Sequence, residues 1–356
     1  MFDSAGHPVT SGLTHGGQWL AGLAVGAAAG YGCSRLHTPI PWMLGPLLSL
    51  ALLRVLGVPI EAPPGARQIG QWVIGTSLGL YFSPQVVRDV AGWWPLLVAG
   101  ALFAMASGYG GGLVLARLAG IDRTTAVFAS VPGGASEMAV LGERFGARVD
   151  RVAAAHSLRI LVVVIVVPFA YTFLGAQGGD RYVPGMAAFD GAGFALLMLA
   201  TLAGAGVAQW LRMPNAFILG SLAVAIPLTA ADMHLSALPT PISNAGQCLI
   251  GCVLGSRFQQ DFLHGAPRFI GAVVATVLAA IVAAALFGVL LAWISGLSLY
   301  TLALGLAPGG IAEMCITAKA LQLGVPLVTA FHVTRVVALL LLTAPLFAIV
   351  QRWRRL

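Results

Sequence analysis

Apolar residues along this chain gather into long runs broken by Gly, Pro or short polar stretches. The runs approach the roughly 18 residues that read as a transmembrane helix. They predict helices at about 18–34, 40–56, 68–82, 93–117 and 152–174, and a second set at about 190–211, 215–231, 244–258, 269–294 and 327–350. Between the fourth and fifth members of each set lies an interrupted stretch, 122–146 and 298–324, with Pro-Gly-Gly in its middle. Neither stretch reads as one clean span.

The two sets are copies. A shift of 176 residues pairs Gly70 with Gly246, Gln71 with Gln247, Ile74 with Ile250, Gly75 with Gly251, Leu78 with Leu254, Gly79 with Gly255 and Phe82 with Phe258. The same shift pairs Gly120 with Gly296, Thr125 with Thr301, Pro132 with Pro308, Gly133 with Gly309, Gly134 with Gly310, Glu137 with Glu313 and Met138 with Met314, then His156 with His332 and Arg159 with Arg335. Most of these sixteen identities avoid the Leu/Val/Ala background and fall on Gly, Pro, Gln, Glu, His and Arg. Such residues have specific work to do in a bilayer, so the chain reads as an internal duplication.

Composition fixes the solvent. Of 356 residues, 58% are hydrophobic and only 9% charged, too few to cover a water-facing surface, and the 45 glycines suit close helix packing in lipid. Disorder, coiled coil and a secreted disulfide scaffold are excluded. Cys33, Cys248, Cys252 and Cys315 are scattered through apolar runs without metal or redox spacing and read as packing residues. The net charge of +7 marks a membrane side rather than a nucleic-acid partner.

The 19 basic residues also choose a topology. If each Pro-Gly-Gly stretch crossed the membrane, giving twelve helices, the loops would hold 8 basic residues on the N-terminal side and 9 opposite, with Arg159 and Arg335 inside helices. If each is instead a re-entrant hairpin, the split is 13 against 4, which satisfies the positive-inside rule. The expected fold is therefore an all-α polytopic membrane protein with about ten spans and two hairpins, both termini cytoplasmic. Five spans per copy make the second copy inverted relative to the first, the architecture of secondary transporters. The organisation expected is a tail over 1–17, repeat 1 over 18–176, a loop over 177–189, repeat 2 over 190–350 and a basic tail over 351–356.

At each hairpin tip, Pro132 or Pro308 ends one half-helix, and Gly133–Gly134 or Gly309–Gly310 permits the reversal. The next half-helix begins with free N–H groups near Ser136 and Glu137, or near Glu313, where an anion can sit. The carbonyls ending the first half can hold a cation. The tips should approach each other near the midplane. A purely structural account makes each a packed hairpin with Glu as a capping residue. Arg159 and Arg335 lie in apolar spans, where an unpaired charge costs at least about 2.5–3.5 kcal/mol. Arg159 lies about 12 Å past Arg151 along a helix, so Glu137 falls within its reach, with His156 one turn away; Glu313, His332 and Arg335 repeat the geometry. This predicts Glu–Arg pairs, either purely structural or opening to bind an anionic substrate while Glu or His takes a proton. Gln71 and Gln247, beside G-x-x-x-G at Gly75–Gly79 and Gly251–Gly255, read as interhelical packing, with cavity lining as the alternative. Trp93, Trp94, Trp353 and Tyr81 fall near span ends as interfacial anchors.

The strings P-W-M-L-G-P (Pro41–Pro46), P-G-G-A-S-E-M (Pro132–Met138) and A-P-G-G-I-A-E-M (Ala307–Met314), with the His-x-x-Arg helices, resemble the AbrB membrane-protein family over about residues 17–350. The second copy reads P-N-A-F-I-L-G (Pro214–Gly220) and offers no counterpart to Trp42. The resemblance implies a duplicated protein of the bacterial inner membrane, in a family labelled ammonia monooxygenase or regulator of gene expression. The residues support neither label directly: the seven histidines form no close pair on a helix face, and no soluble basic domain exists to read DNA. The expectation is a secondary transporter or exporter of a small solute, an anion being one class it fits, coupled to H⁺ or Na⁺, without cofactor, metal or enzymatic activity. A homodimer is compatible with this architecture. The alternative is a membrane regulator that acts indirectly, without transport.

Overall fold

Each of the ten apolar segments is a helix in the computed structural model, which describes residues 15–178, 188–233, 235–258 and 267–353. In chain order the helices are α1 (His15–Arg35), α2 (Pro41–Val55), α3 (Ala66–Gly79), α4 (Pro84–Gly92), α5 (Trp94–Ala119), α6 (Arg123–Ser130), α7 (Ala135–Arg144), α8 (Val149–Phe173), α9 (Gly191–Trp210), α10 (Ala216–Ala230), α11 (Thr240–Gly255), α12 (Pro267–Ser295), α13 (Leu299–Leu306), α14 (Ile311–Ala320) and α15 (Val325–Trp353). No strand occurs among the described residues. Positions 1–14, 179–187 with Arg181, 234, 259–266 and 354–356 lie outside the described residues, and so does most of the expected inter-repeat loop.

Among the described residues, five helices are long and apolar enough to cross a membrane: α5, α8, α9, α12 and Val325–Thr343 of α15. By length and composition this is a membrane-embedded helical protein. Its surface agrees, because Phe173, Trp210 and Trp293 stand almost wholly exposed at helix C-termini, where aromatic rings suit a membrane interface. Trp94 is exposed in the same manner, whereas Tyr81 is buried beside Lys319 and is not an interfacial anchor. Helices α2, α3, α10 and α11 have 15, 14, 15 and 16 residues, about 21–24 Å at 1.5 Å per residue, and so fall short of a 30 Å core.

The duplication is written in the backbone. Helices α6 and α7, shifted by 176 residues, give the bounds of α13 and α14 to the residue. Both α5 and α12 end on a left-handed glycine, Gly120 and Gly296. In the first two helices of each copy the offset is 175: left-handed His37 and Ile40 precede α2, and left-handed Arg212 and Asn215 precede α10. That one-residue slip places Phe217 opposite Trp42, so the aromatic residue missing at an offset of 176 has a counterpart after all.

The chain divides into two compact units, one of residues 1–70 with 244–265, the other of 71–243 with 266–356. In the smaller unit α1 crosses α2, with Gly45 against the Ala29–Gly30 backbone, and α11 lies on α2, where a Cβ at Gly255 would come within 2.6 Å of the Leu47 carbonyl oxygen. Gly70 meets Gly246 at the crossing of α3 and α11, and Cys248 and Cys252 pack with Leu50 and Ile60. In the larger unit α9 crosses α10 in the same manner, with Gly220 against Gly204–Ala205, and Gly75 of α3 sits on Ile218 of α10. The G-x-x-x-G pairs thus serve close backbone approach, which drives association in lipid where burial of apolar area gives no advantage between helices.

The rest of the larger unit surrounds the breaks. Helices α5 and α8 flank α6, and α12 and α15 flank α13. Gly112 of α5 admits Val127 of α6 just as Gly288 of α12 admits Ala303 of α13. Phe128, Val131, Met138 and Val152 form one core with Leu339 and Phe347, and Leu302, Leu306 and Phe331 form another with Ala284 and Leu291.

Candidate functional site

Why the chain breaks where it does follows from the P-G-G-x-x-E-M residues. Proline ends the first half-helix, having no N–H to continue it. The first glycine lies beneath the methionine five residues on: a Cβ at Gly133 would stand 2.8 Å from Met138 Cγ, and one at Gly309 2.6 Å from Met314 Cγ. The second glycine, the N-cap of α7 or α14, lies beneath the glutamate of the same motif, so that a Cβ at Gly134 would land on the Glu137 carboxylate and one at Gly310 on that of Glu313. Glutamate at the third helical position, folded back over the N-cap, supplies the negative charge that a helix N-terminus attracts.

The two arginines answer the opposite end. Arg159 Nη1 donates to the Val131 carbonyl at 3.1 Å and Nη2 to the Gly133 carbonyl at 3.1 Å. Arg335 repeats this, with Nη1 donating to Ala307 at 2.7 Å and Nη2 to Gly309. Carbonyls at the end of a half-helix lack intrahelical donors and carry partial negative charge, so a guanidinium satisfies both needs. The histidines sit one turn earlier: His156 Nε2 donates to Phe128 O at 2.9 Å and His332 Nε2 to Leu304 O at 3.2 Å. A carbonyl only accepts, so the ring proton is on Nε2. Thr125 and Thr301 close the far ends by accepting from the Arg148 and Gly324 backbone N–H groups.

The expected Glu137–Arg159 and Glu313–Arg335 pairs are therefore corrected. Among the described residues the ion pairs are Arg54–Glu61 and those of Asp150 with Arg148 and Arg151. Depth along a helix puts carboxylate and guanidinium close together, but the nearer carbonyls take the guanidinium and the carboxylate turns to its own helix start. In each break the guanidinium thus lies at the carbonyl end and the glutamate carboxylate at the helix start.

The two breaks meet at one cavity. About 40 Å³ in volume, it is lined by Ser107, Ser130, Pro132, Arg159, Thr276 and Pro308 among apolar neighbours. Prolines from both copies thus face the same space. Arg159 and Arg335 are 7% and 4% exposed and Glu313 8%, whereas Glu137 is half-buried and Ser136 exposed. Four of the buried atoms without a hydrogen-bond partner among the described residues repeat by copy: His156 Nδ1 and His332 Nδ1, Arg159 Nε and Arg335 Nε. Ser130 Oγ is another. Of the glutamines, Gln71 donates to Asn215 Oδ1 at 3.3 Å, an interhelical bond, and Gln247 is buried in the smaller unit. Sequence reasoning misses Ser107, Ser130 and Thr276. Their signal is a hydroxyl alone in an apolar run, which is common in membrane helices and weak without the fold.

Comparison with known proteins agrees with these motifs. A family model described as "Transition state regulatory protein AbrB" matches residues 42–351. The chain is 28% identical to "Uncharacterized protein YhjN" of Bacillus subtilis (strain 168) over 92% of each chain. It is 23% identical to "Putative regulator AbrB" of Escherichia coli (strain K12) over 93% of this chain and 95% of the relative. The match takes in both helix breaks and both His-x-x-Arg helices, and this chain belongs to the AbrB family.

Proposed function

We propose that the protein is a secondary transporter of a small solute, coupled to H⁺ or Na⁺. Its two copies form inverted repeats of five spans and one re-entrant hairpin in the bacterial inner membrane, with both termini cytoplasmic. The observation that carries this reading is that Pro132 and Pro308, at equivalent breaks of the two copies, line one cavity with Arg159. Alternating access needs two equivalent half-gates around one site, and broken helices near the midplane are where transporters bind their cargo. The 13-to-4 division of basic residues supports the same topology.

Single cysteines at Ser130 and Thr276, in a background free of native cysteine, should react with a membrane-impermeant thiol reagent from each face under opposite ion gradients. Reaction from one face only under every gradient would leave a receptor rather than a transporter. That second reading has one observation in its favour, the regulatory description of the family and of the Escherichia coli relative. A regulator of this form would act indirectly, through a cavity that senses a solute. Comparing metabolites in deletion and overexpression cells names the solute in either case.

A further inference from the structure

We propose that the cavity between the two breaks is a binding site for a small monovalent anion of the size of a halide, nitrate or formate; the proposal rests on the transporter reading only for what the anion's passage accomplishes. Charge gives the sign. Arg159 and Arg335 are both buried and both bound only to neutral carbonyls, and a single enclosed carboxylate, Glu313, lies near enough for its charge to act on them. Two guanidinium groups against one enclosed carboxylate leave a positive charge without a counter-ion in a low-dielectric interior, which an anion would supply. No carboxylate lines the cavity, so a cation would find hydroxyl oxygens but no negative charge there, and the Arg159 guanidinium would repel it.

Donors and size narrow the class. Arg159 and Ser130 line the cavity, and each has a buried polar atom without a partner among the described residues, Nε–H and the hydroxyl. Buried donors left over in a native fold are a sign of a missing water or ion. A volume of about 40 Å³ has room for about three water-sized sites, enough for one small anion. Gly111 also lines the space, and a Cβ there would meet nothing closer than Ser130 Cβ at 3.9 Å.

The test uses that glycine. Thermal unfolding of the full chain in detergent is followed in sodium chloride, nitrate and formate against sodium gluconate at equal ionic strength. The wild type should gain stability saturably with each small anion, since a ligand that binds only the folded state raises its melting point. Gly111→Ala, which fills the cavity with a methyl group and suits a helix, should fold normally yet need at least about tenfold more anion for the same gain; Ser130→Ala should weaken the response less. No anion-specific gain in the wild type, or an equal gain in Gly111→Ala, overturns the proposal. Flux in proteoliposomes is scored separately. Anion binding lost in Gly111→Ala but without flux would remove transport and leave this site standing, while flux without anion binding at this cavity would do the reverse.

Discussion

The two helix breaks share their arginine, histidine and glutamate contacts and differ in their surroundings. In both, the arginine bridges the two carbonyls that flank the proline, the histidine reaches the carbonyl 28 residues before it, and the glutamate covers the N-cap glycine. Yet residues Ile311–Ala318 are buried throughout, while Ser136 and Val140 of the first copy are exposed and Glu137 is half-buried. Lys319 of the second copy donates to Ser77 at 3.1 Å, where the first copy has the exposed Glu143. The motif therefore builds a break on its own, and neighbouring helices decide how enclosed it is. Residues identical between copies maintain the break; residues that differ set its environment.

Removing the shared arginines should produce the largest effect. Arg335→Gln and Arg159→Gln each strand two carbonyls, at about 1–3 kcal/mol for each buried group, so each variant should lose about 3 kcal/mol in detergent unfolding by denaturant titration. Near-equal losses would mean that the breaks are energetically alike, and a loss under about 1 kcal/mol at Arg159 alone would separate them.

Next come the N-cap glycines, where the two breaks should part. In Gly310→Ala the new methyl meets a carboxylate that has no room to leave, costing about 1–3 kcal/mol as overpacking does. In Gly134→Ala the half-buried Glu137 can swing outward, so the cost should stay below about 1 kcal/mol. Equal losses in the same unfolding assay would show that enclosure does not govern the motif.

The smallest expected effect is a coupling. Because neither glutamate pairs with its arginine, a double-mutant cycle of Glu137→Gln with Arg159→Gln should be additive within about 0.5 kcal/mol. Coupling of about 2 kcal/mol or more, on the scale of a charge pair, would restore the ion pair that the carbonyl contacts displace.

Much of this is legible in the sequence, and the reasons differ by element. Ten helices and two breaks follow from apolar runs and from Pro-Gly-Gly, since proline and glycine act through local backbone chemistry. The His-x-x-Arg helices are recognisable because a charge amid Leu and Val must have a partner. Which partner is not readable: spacing gives the height of Arg159 in the membrane, while the choice between Glu137 and the Val131 and Gly133 carbonyls depends on rotamers and helix packing. The match of Trp42 with Phe217 is hidden by one extra residue in the second copy, which separates Asp232 from Gly246 by one position more than Gly57 from Gly70, and Tyr81 looks interfacial because nothing local announces Lys319 above its ring.

One contact also fastens neighbouring helices to one another. Each arginine is anchored in the long helix after the break and grips the chain on both sides of the proline. Sliding the tip by more than about an ångström along that helix would break both bonds, which weaken quickly beyond hydrogen-bond distance. The guanidinium is thus a rivet: it ties α6, α7 and α8 into one plate and α13, α14 and α15 into another, each entered through a left-handed glycine, Gly120 or Gly296.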